Sequence, residues 1–484
     1  MQIKLFNSLS RKTEDFLPLK DNTVRLYSCG PTVYNYAHIG NMRAFLFADL
    51  LQRVLRVVGE HKMKWIMNIT DIDDKTIRDS AAGSEAWRKE MGEQSSEPIE
   101  NLKKLTTFYL KEFIGDIASI GIKESDFFSL PRATDHIAEM QQLIKKILGN
   151  GFAYESGGAV YFDVQKWSKT DKYGKLQNID FDNFRTGERI DADEYERESV
   201  SDFVLWKAKK EGEPYWDFDL NGENLPGRPG WHIECSSMEH EILGLPFDIH
   251  TGGVDLKFPH HEDEIAQSKA GYGIEPTSFW CHNEFLEVEG TKMSKSAGNF
   301  FTLRDLKNKG IDLNNVRFAM LSAHYRTKYN FTFAGIESAA KAKARIQDFI
   351  YDLIDTNYGS VKFDADDLRQ KVFSHFANDL HTPKALAEIF TFINNNDALD
   401  FDKDSTEGLI AFFREVDAIF DVWEFEPRPE EKDDIPAEIK EMAQSRFDAK
   451  RAKDFAKADE LRDKILAAGW QIMDTKDGFE LAKK

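Results

Sequence analysis

Cysteine is scarce in this sequence. Three residues out of 484, Cys29, Cys235 and Cys281, cannot build a disulfide scaffold in so long a chain, and there is no C-x-x-C pair. The plain reading of any one of them is a small buried apolar residue. Long apolar runs are missing too. Mean hydropathy is −0.52, and no stretch approaches the roughly 20 apolar residues that span a bilayer. Residues 1–20 lack the charged-then-apolar pattern of a signal peptide. A soluble, cytoplasmic protein with no membrane contact is expected. Positive charge is in deficit as well. A formal net charge of −20 opposes a nucleic-acid partner when taken as a sum, because phosphate contacts want Lys and Arg. A local basic face can still bind one. No internal repeat or low-complexity tract occurs.

What is present suffices for about three domains at roughly 150 residues each, and a hydrophobic fraction of 41% lets each bury a core. Residues 23–29, T-V-R-L-Y-S-C, read as a strand, with a turn at Gly30 and Pro31. From about His38, Met42, Phe45, Leu46, Leu50, Val54 and Leu55 recur mostly at three- and four-residue steps. That predicts a helix ending near Gly59. Residues 62–70 read as a second strand, which completes a parallel βαβ unit. A second unit is predicted from a strand at 247–250, a helix at 261–270 and a strand at 278–282. The two halves make an α/β protein with one split, doubly wound, Rossmann-like parallel sheet. Ligands in such sheets bind beyond the carboxyl ends of the strands, where strand order reverses.

Beyond about Phe300 the texture changes. Residues 336–424 read as amphipathic helices, and the charged, proline-containing stretch 426–436 reads as a linker. One charged helix is predicted at about 438–468. A Gly-Trp turn and a short hairpin around residues 477–478 follow.

Three constellations carry chemistry. H-I-G-N, 38–41, follows a strand and opens a helix. A helix N-terminus offers free N–H groups to phosphate, Gly40 permits close approach, and His38 can donate to a phosphoryl oxygen. The plainer reading is an ordinary helix start. K-M-S-K-S, 292–296, lies between Gly290 and Gly298, and its lysines can neutralise a triphosphate and the charge that develops at an α-phosphorus. The plainer reading is a solvated basic loop. The third set is dispersed. Cys29 closes the first strand, Cys235 lies in G-W-H-I-E-C, and P-H-H-E-D-E places His260 and Glu264 one helical turn apart. Two thiolates, an imidazole and a carboxylate suit zinc. Spacing alone does not choose His260 over His261, or Glu264 over Glu262. Near the C-terminus Arg446, Lys450, Lys453 and Lys457 share a face, balanced by Asp448, Asp454 and Asp459. Trp470 and Phe479 read first as core, and otherwise as stacking surfaces for unpaired bases.

Together these motifs resemble those of the cysteinyl-tRNA synthetases, a class I group. The likeness includes C-G-P-T-V-Y-N-Y-A-H-I-G-N (29–41), N-I-T-D-I-D-D-K (68–75), D-F-V-L-W-K (202–207), G-R-P-G-W-H-I-E-C-S-S-M (227–238) and F-P-H-H-E-D-E-I-A-Q-S (258–268). It runs from about residue 1 to 475. The resemblance implies one zinc ion per chain, held by Cys29, Cys235, His260 and Glu264 and binding the thiolate of a cysteine substrate. It implies that Thr70 and Trp231 line the amino-acid pocket. Gly40, His250, Gly252, Asp255 and Lys295 are then at the nucleotide, and His38, Asn41, Lys292 and Lys295 act on the phosphates. The implied reaction is a ligase reaction in protein biosynthesis. ATP, with Mg²⁺, activates L-cysteine to the adenylate, and the amino acid then passes to tRNA(Cys). The implied organisation is a catalytic first half (1–70), a connective insertion (71–229) and a catalytic second half (230–300). A stem-contact region (301–335), a helical bundle (336–425) and an anticodon-binding unit (426–484) follow. A monomer is expected.

The sequence departs from the family pattern in four places. Asn41 stands where HIGH has its second histidine. D-F-D-L-N-G-E-N-L-P (217–226) replaces a common S-P-W-G. Residues 83–98 read as an insertion, and Leu481 stands where many members carry tryptophan. Two other readings share parts of the motif set. One is a cysteine:amino-sugar ligase of mycothiol synthesis, against which the 430–484 segment speaks. The other is a non-catalytic zinc- or RNA-binding relative, against which His38, Lys292 and Lys295 speak.

Overall fold

Thr23–Ser28 (β1), Ile39–Val57 (α1) and Lys62–Met67 (β2) form the first strand–helix–strand unit. Trp231–Met238 (α2), Phe247–Gly253 (β3), His260–Tyr272 (α3) and Thr277–Asn283 (β4) form the second. They belong to a computed structural model that describes residues 1–177, 202–293, 298–355, 358–429, 436–474 and 478–483. The four strands make one parallel sheet in the order β4–β3–β1–β2. Leu26 of β1 faces Trp65 on one side and Ile249 on the other. β1 and β3 are buried along almost their whole length, as expected for central strands with both faces covered. From β1 the chain passes through α1 to β2 on one side, and from β3 through α3 to β4 on the other. Strand order therefore reverses between β1 and β3, and the crevice lies at their carboxyl ends.

α1 is held by a buried stripe that includes Met42, Phe45, Leu46, Leu50, Val54 and Leu55. Between β2 and α2 run the helices Asp74–Ser80, Pro98–Ala118 and Ile137–Gly149. A four-stranded antiparallel sheet completes this stretch, in the order Gly227–Pro229, Phe203–Ala208, Ala159–Phe162, Ala153–Ser156. Downstream, Phe333–Ile354, Ala365–Ala377, Thr382–Asn395 and Lys403–Phe420 are helices. Aromatic rings link them: Phe349 meets Phe392 and Phe413, and Phe392 stacks on Phe401, just before the last helix. Among the described residues no helix is long and apolar enough to cross a membrane.

Residues Met1–Phe425 form one compact unit and Glu426–Lys484 a second. In the second, the single helix expected over 438–468 is two, Ala437–Arg451 and Phe455–Ala467. The chain turns at Lys453, whose φ is +64°, and the Asp454 carboxylate then caps the next helix by accepting from the Lys457 N–H at 3.2 Å. Trp470 packs with Ile439, Ala443 and Ile465 as core, and Leu481 and Phe479 border it. Trp470–Asp474 and Phe479–Lys483 pair antiparallel, while Asp477 of the expected turn lies outside the described residues. The basic face of the first helix is partly neutralised by an acid that spacing did not suggest. Asp474 accepts from Arg446 at 2.8 and 3.1 Å and from Lys450 at 2.6 Å.

Candidate active site

Cys29 directly follows β1, and its N–H donates to the Thr251 carbonyl of β3 at 3.2 Å, so the thiol sits at the crevice. Close packing fixes the next residue: a Cβ on Gly30 would lie 1.8 Å from the Asn68 carbonyl oxygen. α2 is buried from His232 to Met238 and carries Cys235 inward. α3 is mostly polar yet buried from His260 to Ser268, and presents His260 and Glu264 on one face. The ligand atoms of Cys29, Cys235, His260 and Glu264 all lie within 4.8 Å of one another. His260 Nε2 is 3.5 Å from Cys235 Sγ and 2.9 Å from Glu264 Oε1.

Among the described residues a second group also converges: Cys29 and Glu264 with His250 and His261. Donor chemistry separates the two. The first has two sulfurs and the second one, and zinc favours thiolates. His261 has Cys29 Sγ at 3.3 Å from one ring nitrogen and, behind the other, His282 Nε2 at 2.8 Å, a relay that ends on a hydroxyl. His282 in turn meets Ser8 Oγ at 2.8 Å. His260 instead has His232 Nδ1 2.7 Å behind its Nδ1, and His232 lies 3.4 Å from the Asp263 carboxylate. A ligand imidazole backed by a polar relay to a carboxylate is the usual support of a zinc histidine. Glu262 points elsewhere, accepting from the Leu176 N–H at 3.0 Å.

The first set fits zinc. Both Glu264 oxygens lie within 2.9 Å of imidazole nitrogens, at His250 and His260, yet neither contact is aligned as a hydrogen bond. Polar atoms that converge without bonding one another suit a shared cation. Protonation is consistent with this. In the protein alone, burial pushes the Cys29 thiol up to about 11 and the Cys235 thiol well above its ordinary value. A dication between them reverses that direction, because the thiolate is the ligand form. Burial also opposes a charged His260, but Glu264 and Cys235 outweigh it and hold the imidazole up at about 10.

H-I-G-N and the described end of K-M-S-K-S, at Met293, come together at the start of α1. His38 caps the helix, and the Ile39 N–H donates to the Phe301 carbonyl at 2.9 Å. The His38 ring meets Phe300 edge-on, and Met293 Cε lies 3.0 Å from where a Gly40 Cβ would be. Lys292 ends a short strand that folds back on Leu286–Val288 through Glu289 and Gly290, both with positive φ. Lys295 lies outside the described residues. Thr70 is buried, its hydroxyl donating to Glu234 Oε2 at 3.1 Å, and the Trp231 ring stacks on His260 with centroids 4.2 Å apart. Gly252 packs against His261 and Asp255 is exposed just beyond β3. His250 is wholly buried, with Glu264 at 2.7 Å and Glu239 at 2.8 Å. Cys281 is not among these ligand groups, and its thiol donates to the Phe6 carbonyl at 3.7 Å.

Sequence reasoning passed over His232, Glu234, Glu239, Asn68 and the His261–His282 pair. A signal was present. H-I-E-C and H-H-E-D-E are runs of ionisable residues inside helices whose neighbours leave no solvent face.

Residues 15–341 match the family model of the class I (C) tRNA synthetase catalytic domain. The whole chain aligns at 41% identity with a cysteine–tRNA ligase of Brachyspira hyodysenteriae, covering 99% of that protein. It aligns at 40% with one of Solibacter usitatus and at 41% with one of Leptospira interrogans, covering 100% of each. The fold is also similar to that of solved methionyl-tRNA synthetase from Mycobacterium tuberculosis with methionyl-adenylate. The TM-score is 0.54 at 12% identity over 82% of this chain and 89% of that one.

Proposed function

The chain belongs to the cysteine–tRNA ligases, class I aminoacyl-tRNA synthetases, and from that premise we propose that it activates L-cysteine with ATP and loads it onto tRNA(Cys). It does so in the cytoplasm, as a monomer, with Mg²⁺ on the ATP. Its domains divide the work as the family pattern implies, with activation in 1–70 and 230–300 and anticodon contact in 426–484. The observation that carries the choice of amino acid is the convergence of Cys29, Cys235, His260 and Glu264. Zinc bound by those four supplies a centre that favours a thiolate over a hydroxyl. That matters because size alone separates such small side chains only weakly.

In the first step a cysteine carboxylate oxygen attacks the α-phosphorus of ATP and pyrophosphate leaves. His38, Lys292 and Lys295 stabilise the charge on the phosphates, and Gly40, Gly252 and Asp255 border the nucleotide. Asn41 works on His38, whose backbone it bonds. His250, expected at the nucleotide, is enclosed behind Glu264, and any influence on the nucleotide would pass through that carboxylate. Thr70 and Trp231 wall the amino-acid pocket. In the second step the terminal adenosine hydroxyl of the tRNA attacks the activated carbonyl and AMP leaves. No protein nucleophile is needed, and catalysis rests on positioning and electrostatics.

The test pairs ATP–pyrophosphate exchange, with cysteine or serine, with measured zinc content. Wild-type protein should exchange with cysteine and not with serine. Cys235→Ser should lose zinc and cysteine-dependent exchange together. Full exchange in zinc-free protein would remove the metal from the reading, and transfer of cysteine to an amino sugar but not to tRNA would overturn the second step.

A further inference from the structure

Glu234 lies on α2 between Trp231 and Cys235 and is wholly buried. Its Oε2 accepts from Thr70 Oγ1 at 3.1 Å. That hydroxyl accepts from Asn68 Nδ2 at 3.1 Å, and Asn68 Oδ1 accepts from the Gly30 N–H at 2.8 Å. This chain of bonds joins the residue after Cys29 to the residue before Cys235. It therefore fixes the Glu234 carboxylate relative to both sulfurs. The other oxygen, Oε1, is buried and meets no donor. A buried acceptor left unpaired is costly, and more so when it is charged. Burial, and then the like charges of Asp73 and Asp71, push the Glu234 carboxyl well above its ordinary value against the Thr70 bond and His260, so its carboxylate form calls for a cation at Oε1. A cationic donor from outside the protein would satisfy it.

Covalent geometry says which donor. In cysteine the α-nitrogen and the sulfur are separated by three bonds, so the ammonium must fall about 3–4 Å from the sulfur. Its acceptor must stand one charge-assisted hydrogen bond further on, at about 2.8 Å. Glu234 is bonded to Thr70 on one side, and on the other lies within electrostatic reach of His260, which stacks on Trp231. These are the residues that enclose the amino acid in the reading above.

We propose that Glu234 accepts the α-ammonium group of the cysteine substrate through Oε1, with Thr70 and Asn68 orienting its carboxylate. The inference rests on the cysteine-activating reading of this site. The pairing anchors a second point of the substrate besides its sulfur, which aims the substrate carboxylate at the α-phosphorus and discriminates against thiols that lack an amine.

The test uses full-length, zinc-loaded wild type and Glu234→Gln in cysteine-dependent ATP–pyrophosphate exchange. The probe is 3-mercaptopropionate, cysteine without its ammonium, as a competitive inhibitor. Glutamine keeps the Thr70 bond and loses the charge. The KM for cysteine should rise about 10–100-fold, while the inhibition constant of 3-mercaptopropionate shifts less than about threefold. Equal weakening of both, or an unchanged KM, overturns the role. Zinc content and the thermal midpoint report whether the variant is folded. Should it not fold, the wild type alone still decides, because equal affinity for cysteine and 3-mercaptopropionate shows that no acceptor reads the ammonium. A wild type with no cysteine-dependent exchange fails differently, by overturning the reading of the reaction itself.

Discussion

Asn41 occupies the fourth position of H-I-G-N and uses it to close the helix start. Its side-chain oxygen accepts from the His38 N–H at 3.1 Å, while its own N–H donates to His38 Nδ1 at 3.2 Å. This reciprocal pair is a capping box with histidine as the cap, and it satisfies two donors that α1 otherwise leaves open. It also sets the orientation of the His38 ring. Asn41 therefore keeps the motif's geometry without the charge that a histidine offers there. Asn41→Ala should lower stability by about 0.5–2 kcal/mol in urea unfolding, whereas Asn41→Asp, which keeps the acceptor near a helix N-terminus, should stay close to wild type. An alanine variant as stable as wild type would show that the box contributes nothing.

Between elements, α1 is tied to its surroundings by a buried ionic knot. Asp49 accepts from Arg53 at 2.8 Å and from Arg317 at 2.7 Å, and Arg317 also donates to the Ile120 carbonyl at 2.7 Å and to that of Phe420. Asp49 and Arg317 are both fully buried, so removing Arg317 leaves Asp49 with Arg53 as its remaining charge partner and takes the donor from the Ile120 and Phe420 carbonyls. Arg317→Met should cost about 3–5 kcal/mol in urea unfolding. Burial raises the Asp49 pKa, but Arg317 and Arg53 outweigh it and the carboxyl sits below its ordinary value. A depressed folded pKa gives stability that is present above the unfolded value of about 4 and is lost as pH falls through the folded value. Urea unfolding between pH 7 and pH 3 should thus steepen below about pH 4, and less so in Asp49→Asn. An unchanged acid limb in that variant would remove Asp49 from the account. The knot was illegible in the sequence, where Arg317 is one basic residue in a helix. The same limit ran through the whole reading. β1, α1 and β2 were legible because their periods are local, but the pairing of β1 with β3 spans over 200 residues of sequence and leaves no local trace. The ligand set was weak by spacing because its members come from three elements, and resemblance gave it its specificity. The break at 452–454 was missed because a run of charged helix formers reads straight through a single residue of positive φ.

For the whole molecule, the net charge of −20 and a tRNA substrate pull in opposite directions. The second unit offers a local remedy. Arg451, Lys453 and Lys457 are exposed around the break between its two helices, and the Phe455 ring among them is 60% exposed. Leu481, by contrast, borders the core that holds Trp470. Cations beside an open aromatic ring form a surface suited to phosphates and unpaired bases. That unit has its own small core, and the crevice with Cys29, Cys235, His260 and Glu264 lies entirely within Met1–Phe425. The two chemical steps should therefore separate. A chain ending at Phe425 should keep cysteine-dependent pyrophosphate exchange within about twofold, because the residues proposed to hold ATP and cysteine all belong to Met1–Phe425. Its kcat/KM for charging tRNA should fall by about 100-fold, the size of one or two lost stacking contacts at roughly 1–3 kcal/mol each. The loss should fall on KM, since contacts remote from the reacting atoms bind ground and transition states alike. Charging by the shortened chain at the wild-type rate would show that the tRNA is held by the first unit, and loss of exchange would show that the crevice depends on the second.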